Sequence, residues 1–405
     1  MKSVNNFEEI LFVYKDFLGK GGFPSEIREL VTHLPKYTRV TVICEVGDFK
    51  YLKKGISYIY INSLKDIFNL KSNIQFHQIV FCGFSSLYNI CISLKIKQNY
   101  VVLPFSQINV FLDFDNPFEK NALPIVKTLE LEKKSSHKNV QGRVKNGKRD
   151  IHSAIRALKR KFFRETIGKY FLNNADGIGI ISQYEEDEIN KIYFQNKYKF
   201  FNYRFGSILD LNKKGNDKLE QNTNLIKLVV WSRVDFYYKG IDKLLNAIAN
   251  ISDTLKVKLY IVGPDYNKGY EKVIEFIKKN NIENHVQLLK TGEYTSGTFG
   301  ILADADIVAC LSRWDGYPRV LRESLLLNIP ILISKEANFD IPIKKFNCGV
   351  IVDTNDQIEN ILSTLDRKYL NSLKENSLLN DYFSWEACSS DFIKSLMKVT
   401  SSAKN

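Results

Sequence analysis

Long apolar runs are missing from this chain. No stretch of about 18 consecutive apolar residues occurs in it, so the sequence offers no membrane-spanning helix. The opening Met1-Lys2-Ser3-Val4-Asn5-Asn6-Phe7-Glu8-Glu9 lacks the apolar core of a signal peptide, and the expectation is a cytoplasmic protein. Cysteine is scarce: six, at positions 44, 82, 91, 310, 348 and 388, with no Cys-x-x-Cys pair and most of them inside apolar runs. That argues against a zinc ribbon or a disulfide framework and for buried thiols in a reducing compartment. The five histidines, His33, His77, His137, His152 and His285, form no His-x-x-x-His pair, and no metal site is expected. The cluster Gly19-Lys20-Gly21-Gly22 is no Walker A loop, since no Gly-Lys-Ser/Thr closes it, and it lacks the third glycine of a dinucleotide fingerprint.

What is present is ordinary for a globular protein: 44% hydrophobic and 25% charged residues over 405 positions, enough chain for two substantial cores. Short apolar runs alternate with helical periodicity, the pattern of doubly wound α/β domains. Strands are expected over Ile10–Tyr14, Arg39–Cys44, Ile79–Cys82 and Val101–Leu103, then over Leu228–Ser232, Lys258–Val262, Val286–Leu289, Asp306–Leu311 and Ile331–Ser334. Ile241, Leu244, Leu245 and Ile248 follow the spacing of a helix packed by one face on a sheet. The polar run Leu211-Asn212-Lys213-Lys214-Gly215-Asn216-Asp217-Lys218 reads as a linker between the halves, with the boundary near 205 to 225. Two such halves imply a cleft between them.

The most informative stretch is Ser312-Arg313-Trp314-Asp315-Gly316-Tyr317-Pro318-Arg319-Val320-Leu321-Arg322-Glu323, which places two carboxylates eight positions apart across a turn that opens a helix. Pro318 suits a first helical turn, Gly316 lets backbone approach a ligand, and the preceding apolar run puts Asp315 just past the carboxyl end of a strand. There, helix N-termini face anions such as phosphates, and a carboxylate at Glu323 is able to accept two hydroxyl protons from a ribose. The same spacing fits an acid favouring the helix dipole and an ordinary surface glutamate. Upstream, Arg233 and Lys239 follow the strand Leu228-Val229-Val230-Trp231-Ser232. Taken alone, such cations are most often solvated surface charges.

Order and spacing decide between these readings through a resemblance. Asp315 through Ser334 is similar to the acid-x7-Glu signature of family 4 retaining glycosyltransferases of the GT-B fold, with Asp315 in place of the usual first glutamate and Asn328 near a helix end where glycine is common. Arg233 to Lys239-Gly240 resembles the family's Gly-Arg…Lys-Gly segment, which clamps the donor diphosphate. Gly19-Lys20-Gly21-Gly22-Phe23-Pro24-Ser25-Glu26 is similar to its glycine-rich loop after the first strand, with Gly21 and Gly22 as the candidates for close approach to phosphate. Ala175 through Glu185 resembles the last strand of the family's first domain, and Tyr382-Phe383-Ser384-Trp385-Glu386 its terminal helix.

The resemblance implies two Rossmann-like doubly wound domains facing across a cleft: residues 1–205 on the acceptor side, 206–380 binding the donor, and a helix within 381–405 crossing back to the first domain. It implies a metal-independent, retaining transfer from a nucleoside-diphosphate sugar, UDP above all, to an acceptor hydroxyl, with no cofactor. Asp315 would position the donor sugar. Gly316, Tyr317, Pro318, Arg319 and Val320 would present backbone groups, Glu323 would hold ribose, and Arg233 and Lys239 would stabilise the leaving diphosphate. The family's first-domain histidine has no counterpart in Leu103-Pro104-Phe105-Ser106-Gln107-Ile108-Asn109, where Ser106, Gln107 or Asn109 could stand in. The implied setting is bacterial cell-surface glycan synthesis, with a glycan, glycolipid or protein acceptor. The alternatives are a non-catalytic GT-B scaffold subunit and another GT-B enzyme such as a nucleotide-sugar epimerase or a phosphorylase.

The net charge of +13 concentrates in one place, with twelve Lys and Arg between Lys133 and Arg164 and Asp150 as the sole acid. Ile151, Ile155, Leu158 and Phe162 share one helical face there, which fits a helix resting on anionic lipid at the inner face of the plasma membrane, and equally one docked on its own domain. No helix-turn-helix, zinc-finger or aromatic RNA-binding motif accompanies the charge, so nucleic acid is not an expected partner.

Overall fold

The computed structural model describes residues 8–19, 22–70, 75–83, 87–104, 166, 168–192, 200–207, 219, 225–252, 255–290, 299–313, 315–374 and 378–402. The basic stretch 133–164, the linker run 211–218, Gly21, and Ser106, Gln107 and Asn109 lie outside these residues.

Apolar runs form thirteen described strands in two wholly parallel sheets. The first sheet has the order β3-β2-β1-β4-β5-β6-β7, from β1 (Glu8–Val13), β2 (Thr38–Cys44), β3 (Ile56–Tyr60), β4 (Gln78–Cys82), β5 (Val101–Leu103), β6 (Gly177–Ile180) and β7 (Phe200–Asn202). The second has the order β10-β9-β8-β11-β12-β13, from β8 (Ile226–Trp231), β9 (Val257–Gly263), β10 (Val286–Lys290), β11 (Ile307–Cys310), β12 (Ile331–Ser334) and β13 (Gly349–Val352). Each sheet therefore reverses its winding once, at β1/β4 and at β8/β11. Such switch points open a crevice at the carboxyl ends of the strands.

Every residue of β8 is buried, as expected of a central parallel strand covered on both faces. That includes Lys227, whose ammonium meets Asp304 at 3.1 Å while its backbone N–H donates to Asp306 at 2.9 Å. The helix Ile241–Ile251 buries Ile241, Leu244, Leu245, Ala247 and Ile248, the face its spacing predicts.

Three strands were not expected: β3, β7 and β13. β3 and β13 are edge strands of mostly intermediate burial, and β7 is a three-residue edge strand with an exposed end. Edge strands bury less, so their sequences carry a weaker apolar signal. β6 is the strand expected at 175–185, yet β7 follows it and is the last of its sheet.

The helix Trp385–Ser402 packs back on the first domain, against the helix Gly22–Thr32 and strands β6 and β7. Ser384 caps it by accepting the Ala387 N–H at 3.1 Å. Phe392, Ile393 and Leu396 are fully buried, each worth about 1.5–3 kcal/mol of burial. Phe392 lies 6.2 Å from Phe12 of β1, centroid to centroid. Trp385 sits directly on Gly206, where a Cβ would come within 2.7 Å of the indole. The chain thus crosses between the domains at Phe205–Ser207 and again near Phe383, and Ser207 N–H donates to the Phe383 carbonyl at 2.9 Å.

Candidate active site

The carboxyl ends of β8 and β11 open into a cavity of about 540 Å³ that faces the first domain. Gly22, at the start of the helix after β1, forms part of its wall. The second domain supplies the rest, including Trp231, Ser232, Arg233, Tyr238, Lys239, Pro264, Cys310, Ser312, Asp315, Pro318, Arg319, Val320 and Glu323.

Backbone geometry delivers the two cations. Gly240 ends their loop in the left-handed conformation, φ 66°, and a Cβ there would collide with the Leu311 carbonyl. The neighbouring strand end therefore packs against the loop itself. Arg313 ties the two loops together: its guanidinium takes both oxygens of Asp242 at 2.7 Å, donates to the Tyr237 carbonyl, and lies 3.5 Å over the Tyr237 ring. Arg233 is held by aromatic rings, 4.3 Å from the Tyr266 centroid and 5.1 Å from that of Tyr238. A guanidinium fixed in this way keeps its N–H edge in place for an anion.

Lys239 reaches Asp315 Oδ2 at 2.5 Å. Burial works against its charge, but the Asp315 carboxylate outweighs that and holds the ammonium's pKa above its ordinary value. Asp315 also accepts from the Ser312 hydroxyl at 3.2 Å and from the Gly316 N–H at 2.9 Å. Burial, then Asp315, push the neighbouring Tyr238 hydroxyl well above its usual range, so it stays a neutral donor.

The helix Arg319–Leu326 begins just after Pro318 and buries Leu321 and Leu325, while Val320 and Leu326 pack at the margin of the core. Glu323 points from this helix to the cavity and is 3% exposed. Asn328 closes the helix at φ 58°; asparagine is the residue besides glycine that best tolerates this region, which accounts for its place here.

Of the residues singled out in the sequence, Gly22, Arg233, Lys239, Asp315, Pro318, Arg319, Val320 and Glu323 are brought together around the cavity. Gly316 and Tyr317 are not on its wall. Gly316 is exposed, with its N–H turned to the Asp315 carboxylate. Tyr317 is 2% exposed, its ring 4.6 Å from that of Phe339 and its backbone at φ 65°. This aromatic ring anchors the loop in the core. Arg319 lines the cavity while its guanidinium crosses the seam to Glu26 at 3.1 Å. Beside it Arg322, 1% exposed, meets the same Glu26 oxygen at 2.6 Å.

Sequence reading missed Tyr238, Ser232, Pro264 and Ser312 on the wall and the Arg313–Asp242 clamp behind it. Ser232, Pro264 and Ser312 each follow a strand closely, and the rule that ligands gather at carboxyl ends would have found them. Among the described residues no group of three His, Cys, Asp or Glu could hold a metal ion, and none of the described helices is long and apolar enough to cross a membrane.

Two Rossmann-like domains, with a nucleotide-sized cavity at the switch point of the second and a terminal helix returning to the first, make this a GT-B structure. Residues 213–380, within the second domain, match the model of the family described as glycosyl transferases group 1. The whole chain is similar in fold to sucrose-phosphate synthase from Thermosynechococcus elongatus, with a TM-score of 0.61 at 14% identity over 98% of this chain and 100% of that one. Anabaena HepE, solved in complex with UDP, gives 0.61 at 13% identity over 96% and 100%. The lipopolysaccharide outer core galactosyltransferase WaaB gives 0.60 at 15% identity over 96% and 99%. No curated protein matches the chain in sequence.

Proposed function

We propose that this protein is a retaining glycosyltransferase that moves a sugar from a nucleoside diphosphate, UDP foremost, to an acceptor hydroxyl in bacterial cell-surface glycan synthesis. The observation that carries the reading is the meeting of Arg233, Lys239, Asp315 and Glu323 with Gly22 around one cavity. A Cβ at Gly22 would meet nothing within 4 Å, so the protein's own packing does not require glycine there, whereas a ligand seated against the helix start would. UDP is favoured because HepE was solved with UDP and with UDP-glucose.

In this reading Arg233 and Lys239 face the diphosphate and take up the charge that develops as it leaves. Glu323 accepts the ribose hydroxyls, and Asp315 orients hydroxyls of the donor sugar. The acceptor oxygen attacks the anomeric carbon from the face the diphosphate leaves. The new C–O bond forms as the carbon–phosphate-oxygen bond breaks, and the acceptor proton passes to the departing phosphate oxygen. No separate enzymic base, metal or cofactor is needed in that scheme. The acceptor is a glycan, glycolipid or protein, met in the cytoplasm or at the inner face of the membrane.

A thermal-shift screen of UDP, GDP, ADP, CMP and their sugar conjugates tests the donor assignment, because a ligand at 100 times its Kd stabilises by about 2.7 kcal/mol. A shift with one diphosphate that disappears in Arg233→Ala is expected. The absence of any nucleotide shift would favour a non-catalytic scaffold. With a donor in hand, the anomeric configuration of the product by NMR tests retention, and full turnover in a chelator tests metal independence.

A further inference from the structure

Asp315 is held at both ends of its peptide by a turn that also touches the other domain. Its N–H donates to the Glu336 carbonyl at 2.9 Å, and its carbonyl accepts the Asn338 side-chain N–H at 2.6 Å. The other atom of the same amide, Asn338 Oδ1, accepts the Ser182 hydroxyl at 2.5 Å. Ser182 follows β6 in the first sheet and Asn338 follows β12 in the second, so one fully buried amide joins the domain seam to the Asp315 backbone.

Both halves of this relay are firmly set. Ser182 Oγ accepts the Glu185 N–H at 2.9 Å, and Glu185 Oε2 accepts the Ile181 N–H at 3.0 Å, which aims the hydroxyl proton outward at Asn338. Next to it, Gln183 N–H donates across the seam to Asp340 Oδ1 at 3.2 Å. Asn338 itself sits at φ 55°, a left-handed position that an asparagine tolerates. With one acceptor and one donor, its amide satisfies both neighbours at once, and losing either partner leaves a buried polar atom unpaired.

We infer that Asn338 is a positioning residue that couples contact between the domains at Ser182 to the placement of Asp315, so that the carboxylate is set for the donor sugar only when the seam is closed. The role in turnover rests on the transferase reading above; the coupling between Ser182 and Asp315 does not.

The test uses Ser182→Ala, Ser182→Thr, Asn338→Gly and the Ser182→Ala/Asn338→Gly double variant of the full chain. Glycine accepts the left-handed backbone at 338, so Asn338→Gly deletes the amide without straining the turn. Amide hydrogen exchange at Asp315 and Gly316 is expected to quicken in Ser182→Ala, although Ser182 belongs to the other domain, and to return to normal in Ser182→Thr. In turnover, Ser182→Ala and Asn338→Gly each lower kcat by about 10- to 100-fold, the cost of a small misplacement, with UDP affinity by calorimetry within about twofold. The double variant falls no further than the worse single one, the mark of residues acting as a unit. Unchanged exchange at 315 and 316 in Ser182→Ala overturns the coupling. So does a loss of kcat that simply tracks weaker UDP binding or adds up in the double variant. A wild type that turns over no donor sinks the transferase reading alone, since the exchange result still decides the coupling.

Discussion

Lys239 and Asp315, 76 residues apart in sequence, meet through Nζ and Oδ2 at 2.5 Å, with side chains only 16% and 18% exposed. The cation proposed for the leaving diphosphate and the carboxylate proposed for the donor sugar thus pair with each other. On the proposed roles, a diphosphate entering the cavity would compete with Asp315 for the ammonium and free the carboxylate for sugar hydroxyls. Asp315→Asn removes the competitor but leaves Lys239 without its counter-ion, at a cost of about 1–3 kcal/mol for a partly buried charge. The apo protein is expected to melt earlier, to bind UDP as tightly as wild type or more so, and to turn over about 100-fold more slowly. Calorimetric titration beside an assay separates these effects; loss of UDP binding in Asp315→Asn would contradict the assigned roles.

Glu323 gives the complementary case. It lines the cavity from a buried position on a helix whose Leu321 and Leu325 lie in the core, so its removal would delete the proposed ribose contact and leave Arg233 and Lys239 in place. Glu323→Ala is expected to weaken UDP by about 10-fold, in keeping with a lost charge-assisted hydrogen-bond pair, and to weaken inorganic pyrophosphate hardly at all. Equal loss of both ligands would place Glu323 elsewhere in the mechanism.

The domain seam depends on Glu26, 6% exposed, whose Oε1 is shared by Arg319 and the fully buried Arg322. Taking Glu26 away strands the Arg322 charge, and Glu26→Ala should cost about 3–5 kcal/mol of stability. Glu26→Ala combined with Arg322→Met should recover much of that, because the uncompensated charge is gone. A double-mutant cycle on urea midpoints measures the coupling, and additive losses would show that the pair contributes nothing jointly.

How much of this was readable beforehand follows the physics of each element. Strands buried on both faces, such as β8, and the helix Ile241–Ile251 were plain from apolar periodicity. β3, β7 and β13 were not, because edges carry little apolar signal. The acid-x7-Glu and Arg…Lys-Gly spacings picked out residues that line one cavity, since local sequence sets both loops. Contacts between distant segments had no local signal: Arg313 with Asp242, Glu26 with Arg322, Asn338 with Ser182. The burial of the Tyr317 ring had no local signal either, as nothing near it in sequence tells that Phe339 and Phe205 pack against it.

The cysteines should report the compactness of the fold. All six are free, and Cys91 alone escapes full burial. Burial pushes the thiols of Cys44 and Cys348 up to about 12 and that of Cys388 to about 11. A raised folded pKa contributes stability that is complete below the unfolded thiol's pKa of 9.0 and is lost as pH climbs through 11 to 12. At pH 8 a thiol reagent should therefore titrate Cys91 quickly, Cys310 on the cavity wall more slowly, and the other four only on unfolding. Urea midpoints should fall between about pH 9 and 12, and fall less in Cys44→Ala. Rapid labelling of several thiols in the native protein would contradict this packing.

Two glycines at the site separate folding from binding. Gly240 is left-handed and pressed against the Leu311 carbonyl, so Gly240→Ala must both strain φ and push two loops apart; a loss of about 2–4 kcal/mol is expected, with UDP binding reduced through the displaced Lys239. Gly22 opens a helix, and a Cβ there meets only open space. Gly22→Ala should keep or slightly raise the melting temperature, since alanine loses less chain entropy in a helix. If that space is where phosphate approaches the helix N-terminus, the same methyl lowers UDP affinity by about 10-fold or more. Melting curves with and without UDP distinguish the two sites in one experiment: Gly240→Ala lowers the apo transition, whereas Gly22→Ala leaves it and shrinks the UDP-induced rise. A Gly22→Ala protein that UDP stabilises as fully as wild type would move the phosphate site away from this helix.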